Sequence, residues 1–150
     1  MVRSAKSALI AAALFAASGA QASSCADQVK HSAWALAACL RDDALWRHLQ
    51  AFAAIANAHP DALGHGNRDT FTPGYAASVD YVARTMREAG YQVTIAPYDL
   101  HGRTDYNVIA ESRFGDPNHI VVLDAHLDSI FGAGILDNAS GSATILEIAR

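Results

Sequence analysis

The chain has 150 residues, the length of one ordinary domain. Hydrophobic residues make up 51% of it and charged residues 17%, proportions that exclude a disordered tail and a coiled coil. Eleven Lys and Arg residues against fifteen Asp and Glu residues give a net charge of -4, which argues against a nucleic-acid-binding surface. Two cysteines are too few for a disulfide scaffold or a four-cysteine zinc site, and no apolar run is long enough to span a membrane.

The first residues have the parts of a secretory signal in the usual order. Two basic residues precede an apolar stretch over 8–17, and a small-x-small triplet ends at Ala22. An alanine-rich first helix would explain the apolarity but not the order of these parts. We therefore expect residues 1–22 to be a signal peptide cleaved near Ala22, and the mature chain, 23–150, to be exported to the periplasm or secreted.

Export changes the interpretation of Cys25 and Cys39, because two cysteines in an oxidising compartment more often pair than stay free. A single straight helix would hold them about 21 Å apart at 1.5 Å per residue, beyond the reach of a disulfide. We expect the chain to bend between them so that they pair, and unpaired cysteines are the alternative.

Helices come first in the predicted order of elements. Apolar residues between Asp42 and Ala58 recur at helical spacing, and a second amphipathic helix is expected over 78–89, stopped by Gly90. The stretch 59–74 contains prolines, glycines and polar residues, and it is predicted to be a loop.

Strands follow these helices. Alternating apolar and polar residues predict a half-buried strand over 91–95, followed by a polar link over 100–105 and a second short strand around 107–110. The uninterrupted apolar run 120–123 is typical of a strand covered on both faces. A glycine-punctuated loop and a helix from about Ser140 complete an α/β pattern.

The candidate site lies just beyond the apolar run, where open α/β sheets place their ligands. His126 and Asp128 are two residues apart, and in extended chain they point to the same side. One can bind a metal ion while the other, or a neighbour, fixes the imidazole tautomer. A His-x-Asp triplet alone is weak evidence for a metal site. The glycine loop that follows lets Asp137 return toward His126, and this strengthens the interpretation.

The same segment resembles a known family. The motifs that carry the resemblance are TPGYAASVDYV at 72–82, EAGYQVT at 88–94, AHLDS at 125–129 and GILDNASGSA at 134–143. In this order they resemble the secreted dizinc aminopeptidases of metallopeptidase family 28, over essentially the whole mature chain. The resemblance implies an incomplete three-layer α/β/α zinc-exopeptidase domain, with N-terminal helices followed by the first sheet strands and truncated within a helix.

The resemblance also implies roles for individual residues. His126 would be a ligand of one zinc ion, Asp137 the carboxylate that bridges two zinc ions, and Asp128 the catalytic-site residue that positions His126. The complete enzyme would use its two zinc ions to hydrolyse N-terminal residues from peptides, with manganese or cobalt as alternative metals. A glutamate pair, a further acidic ligand and a second histidine of the family would lie after residue 150, so the chain alone is expected to be inactive.

The other polar and aromatic residues are expected to have structural roles. Asp124 stands where the family usually has a small residue, and we expect it to be solvated. Glu147 is expected to be structural, and Trp34 and Trp46 are expected in the core. The six remaining histidines are predicted to lie on the surface or in loops: His31, His48, His59, His65, His101 and His119.

Two alternatives to an aminopeptidase stay open. A glutaminyl-cyclase-like enzyme or a receptor ectodomain would keep the fold and use one zinc ion or none. A non-catalytic binding or regulatory protein on the same fold would need a partner for its exposed sheet face. The retention of Asp137 followed by Asn-Ala-Ser-Gly favours the hydrolytic branch, for which a peptide is the expected partner.

Overall fold

The computed structural model describes residues 33–150, so the expectations for the signal peptide, Cys25 and His31 lie outside the described residues. Helices precede a two-stranded sheet and one more helix follows it, which confirms the predicted α/β class. Among the described residues, no helix is both long and apolar enough to cross a membrane. The element bounds are Ala33–Cys39 (α1), Asp42–Ala58 (α2), Pro73–Glu88 (α3), Gln92–Leu100 (β1), Arg103–Glu111 (β2) and Ser140–Ile148 (α4).

Helix α2 begins and ends at the predicted residues. Two aspartates occupy its first turn, where a carboxylate interacts favourably with the helix dipole. Its inner face repeats with a spacing of four residues, so that one stripe of side chains is turned toward the core. The buried residues of this stripe are Ala44, His48, Phe52 and Ala56.

Helix α3 starts at Pro73, well before the predicted start at Ser78. Thr72 caps it, because its Oγ1 accepts a hydrogen bond from the Tyr75 amide at 3.3 Å, and proline suits the first helical position. The prediction was wrong at this end because it used apolar periodicity and not the capping residues. At the other end the helix stops at Glu88 before Gly90, which has a φ of 92°.

The two strands form a tight antiparallel hairpin, paired from Gln92 with Glu111 to Leu100 with Arg103. His101 and Gly102 alone form the turn, with φ of 53° and 75°, as a two-residue hairpin turn requires. The predicted polar link over 100–105 is therefore wrong, and most of its residues belong to the strands. Its polar residues lie at the exposed end of the hairpin, except for Asp105, which is buried and accepts a hydrogen bond from the Phe71 amide at 2.6 Å.

The apolar run 120–123 forms no strand, and each of its side chains is more than half exposed. The sheet of the described residues consists of β1 and β2 alone, so this run has no neighbouring strand with which to form hydrogen bonds. The expectation of a strand buried on both faces is thus wrong for this structure. Helices on a two-stranded sheet are consistent with an incomplete domain of the implied architecture.

The core joins α2, α3 and α4 through Phe52, Met86, Ala139 and Leu146. Trp34 and Trp46 do not take part, and both are largely exposed, so their assignment to the core is wrong. Trp46 lies two residues from the inner stripe of α2, which at 100° per residue turns it to the opposite side of the helix.

His48 is buried on the inner stripe of α2, which contradicts its predicted surface position. Its Nδ1 atom lies 2.6 Å from the hydroxyl of Tyr81 on α3, and its Nε2 atom lies 3.8 Å from Oε2 of Glu147 on α4. Within the part of the chain that the structure describes, neither Nε2 nor that Oε2 has a hydrogen-bond partner. Burial lowers the pKa of the imidazole, and the charge of Glu147 opposes this effect. The three side chains lie between α2, α3 and α4, and the structural role expected for Glu147 stays a prediction.

The buried His48 makes stability depend on pH. Because its pKa in the folded protein lies below the unfolded value of about 6.5, the stability that neutral His48 contributes is present above that pH and is lost as the pH falls through the folded pKa. We expect Tm to fall more steeply between about pH 7 and pH 5 in the wild type than in His48→Gln. The exposed His119 supplies the control variant His119→Gln, which should keep the wild-type slope. Parallel curves for the wild type and His48→Gln would contradict the prediction.

Candidate metal centre

A folded loop, 125–139, brings distant residues of the segment together. Ser129 anchors its first half, since its amide donates to the Arg68 carbonyl at 3.1 Å and its hydroxyl donates to the Gly132 carbonyl at 2.7 Å. Gly134 has a φ of 58°, and the wide turn that follows closes where the Ala139 amide donates to the Gly134 carbonyl at 2.9 Å. Asp137 lies in this turn, with its side chain 91% exposed.

The structure brings the three predicted site residues into contact. Nε2 of His126 lies 2.8 Å from Oδ1 of Asp137, although eleven residues separate them in sequence. Nδ1 of His126 lies 3.1 Å from Oδ1 of Asp128. Each ring nitrogen therefore faces its own carboxylate, and Asp128 is placed where it can fix the tautomer and the orientation of the imidazole.

The two carboxylates change the titration of the imidazole. The hydrogen bond with Asp137 raises the pKa of His126, partial burial opposes it, and the charge and hydrogen bond of Asp128 raise the pKa further. A negative environment that favours a proton at Nε2 also favours a metal cation there, and the two compete for the same lone pair.

The donor set fits a divalent metal ion in part. An imidazole nitrogen and a carboxylate are ligands that zinc accepts, and the two groups lie in direct contact at the surface of the loop. Among residues 33–150, however, no group of three or more His, Cys, Asp or Glu side chains is placed to hold a metal ion. Since catalytic zinc takes three protein ligands, His126 and Asp137 fit as part of a larger set.

Asn138 and Ser142 form hydrogen bonds at the start of α4, next to the site. The Asn138 side-chain oxygen accepts a hydrogen bond from the Gly141 amide at 3.0 Å. A Cβ atom at position 141 would lie 2.4 Å from that oxygen, so a larger residue there would displace the Asn138 side chain. The Ser142 hydroxyl donates to the His126 carbonyl at 3.2 Å and so ties α4 to the backbone of the histidine.

An open cleft of about 530 Å³ lies beside the histidine. Three large apolar side chains on its rim are strongly exposed: Ile130, Phe131 and Leu136. Asp124 is also exposed, as predicted, and it is not among the residues that line the cleft. The lining residues are His126, Asp128, Ser129, Ile130, Phe131, Gly134, Ile135, Leu136 and Asp137.

One residue of the site's surroundings was missed from the sequence. Arg68 belongs to the polar stretch predicted as a loop, and an arginine in such a stretch is usually solvated. In the structure it has 0% exposure and contacts the folded loop from beneath. No periodicity marks it, so nothing in the sequence pattern would have found it.

Comparison with known proteins places this segment in a family. Residues 107–150 match the model of Peptidase family M28. Leupeptin-inactivating enzyme 1 of Streptomyces exfoliatus is 44% identical over 103 residues, which are 68% of this chain and 22% of that protein. An aminopeptidase of Pseudomonas aeruginosa is 62% identical over 45 residues, 29% of this chain and 8% of that protein. Leucine aminopeptidase 2 of Trichophyton equinum is 53% identical over 52 residues, 34% of this chain and 10% of that protein.

The chain thus spans about a fifth or less of the length of these relatives. The matched residues 107–150 include His126, Asp128 and Asp137 together with the loop that joins them. The resemblance is confirmed over the matched part of the chain, which is similar to Peptidase family M28 and to relatives named aminopeptidase.

Proposed function

We propose that the chain supplies part of the metal centre of an exported zinc aminopeptidase, with His126 and Asp137 as metal ligands. The observation that carries the proposal is the 2.8 Å contact between His126 Nε2 and Asp137 Oδ1, with Asp128 on the other ring nitrogen. The family match supports a peptidase, and relatives named aminopeptidase support the removal of N-terminal residues.

Each site residue has a separate task in this proposal. His126 offers Nε2 as a ligand when its ring proton is at Nδ1, where the Asp128 carboxylate can accept it in a hydrogen bond. Asp137 is exposed and carries two carboxylate oxygens, so it can be shared between two cations. When bound, zinc ions would activate a water molecule and polarise the scissile carbonyl.

The proposal includes export. The order of charged, apolar and small residues over 1–22 supports a signal peptide cleaved near Ala22. The disulfide bond of Cys39 supports an oxidising compartment, because disulfides form and persist there. The periplasm and the medium are both such compartments.

Hydrolysis by the complete protein that contains this chain tests the function. We expect release of p-nitroaniline from L-leucine p-nitroanilide, loss of this activity in 1,10-phenanthroline, and recovery on addition of Zn²⁺. The mature protein should begin at Ser23, as N-terminal sequencing would show. Activity that survives chelation would contradict a metal-dependent peptidase. A protein that instead cyclises N-terminal glutamine would support the glutaminyl-cyclase-like alternative.

A further inference from the structure

The folded loop is hydrogen-bonded to the buried guanidinium of Arg68. The Arg68 guanidinium donates to the Leu127 carbonyl from Nη1 at 2.5 Å, and to the Ala133 carbonyl from Nε at 3.0 Å and from Nη2 at 2.7 Å. Leu127 lies between His126 and Asp128, and Ala133 lies at the other arm of the loop, shortly before Asp137. One rigid group therefore connects the two arms whose separation sets the contact between histidine and carboxylate.

The guanidinium of Arg68 is itself held in place by contacts with two helices. Nη1 lies 3.5 Å from the Ser78 hydroxyl on α3, and the group lies over the ring of Phe52 on α2, 4.8 Å from its centroid. Burial lowers the pKa of Arg68 to about 10, so the side chain keeps its charge at neutral pH. A fully buried charge is costly unless its hydrogen bonds are satisfied, and here the carbonyls of the loop satisfy them.

We propose that Arg68 is a positioning residue for the candidate metal centre: by holding Leu127 and Ala133 together it sets the distance between His126 and Asp137. This inference rests on the proposed function for its consequence in metal binding, but the effect on the loop is independent of it. Lysine keeps the charge but lacks the planar fork that can reach both carbonyls, so it should replace arginine only in part.

The test uses Co²⁺ alone as the probe in the complete protein, with the visible absorption spectrum and the affinity for Co²⁺ as readouts. Arg68→Ala should weaken Co²⁺ binding roughly 10- to 100-fold, the range found when groups supporting a metal ligand are removed. Arg68→Lys should fall between Arg68→Ala and the wild type, with a changed spectrum. The control is Val79→Ala, which removes buried volume on α3 outside the loop and should lower Tm without changing the spectrum.

A second readout needs no metal. Hydrogen exchange should show that the Ser129 and Ala139 amides exchange faster in Arg68→Ala relative to the amides of α2, but not in Val79→Ala. Wild-type Co²⁺ affinity and loop protection in Arg68→Ala would overturn the proposal, and so would equal losses in Val79→Ala. If the wild type binds no Co²⁺, the proposed function fails, and amide exchange of the metal-free protein alone decides the role of Arg68.

Discussion

Replacing His126 with alanine is expected to abolish tight metal binding, with a loss of Zn²⁺ affinity of more than about 100-fold. Loss of a ligand should cost more than the roughly 10- to 100-fold that follows removal of a supporting group. Asp128→Asn should show this smaller loss, because the amide oxygen can still accept a hydrogen bond from Nδ1 but lacks the negative charge of the carboxylate. Isothermal titration of the metal-free complete protein with Zn²⁺ measures both.

His119 provides a matched control for this experiment. Its Nδ1 atom lies 2.7 Å from Oδ2 of Asp116, so it is also a histidine paired with an aspartate, but no second carboxylate of residues 33–150 contacts its other nitrogen. His119→Ala should bind Zn²⁺ as the wild type does. Equal losses in His119→Ala and His126→Ala would mean that the affinity comes from histidine content and not from the site.

Replacing Gly74 with alanine is expected to destabilise the fold by about 3 kcal/mol, within the range for forcing an extra atom into a packed interior. A Cβ atom there would lie 1.9 Å from the carbonyl oxygen of Asn67 and 3.3 Å from Cα of Arg68. Alanine is otherwise favoured over glycine in a helix by up to about 1 kcal/mol, so the sign of the change is decided by the clash. Thermal or urea unfolding of the purified variant measures it.

Gly90 separates this steric effect from backbone strain. It has a φ of 92°, but a Cβ atom would meet nothing within 4 Å. Gly90→Ala should therefore cost only about 1 to 2 kcal/mol, the strain of a left-handed backbone. A Gly74→Ala variant that unfolds at the wild-type urea concentration would show that the Asn67 carbonyl can move aside without cost.

Helices α2 and α4 could be predicted from the sequence because their causes are local, whereas α3 was predicted only in part. The spacing of apolar residues located α2 from Asp42 to Ala58, and the run after Asn138 located α4. The hairpin was predicted only in part. Its turn depends on two residues with left-handed backbone, and the alternation of apolar and polar residues does not reveal them. The prediction of a strand over 120–123 was wrong for a non-local reason. A strand requires a neighbouring strand for its hydrogen bonds, and an apolar sequence does not provide one.

The candidate site was also predicted only in part. His126, Asp128 and Asp137 stand in a short segment with glycines between them, and the sequence indicated their convergence. The sequence did not reveal the buried polar contacts of Arg68 and His48. The contacts of Arg68 with Leu127 and Ala133 span 59 and 65 residues, and His48 meets Tyr81 across 33. Burial of such polar groups depends on tertiary packing, which no local pattern encodes.

The position of Arg68 between the helices and the loop also bears on cooperativity. Its guanidinium contacts Phe52 of α2, Ser78 of α3 and both arms of the loop, so local opening of the loop would leave a charge held against two helices without its carbonyl partners. Loops normally open with little free energy and independently of the elements that they join. We therefore expect the candidate metal centre to open together with the helical core and not before it.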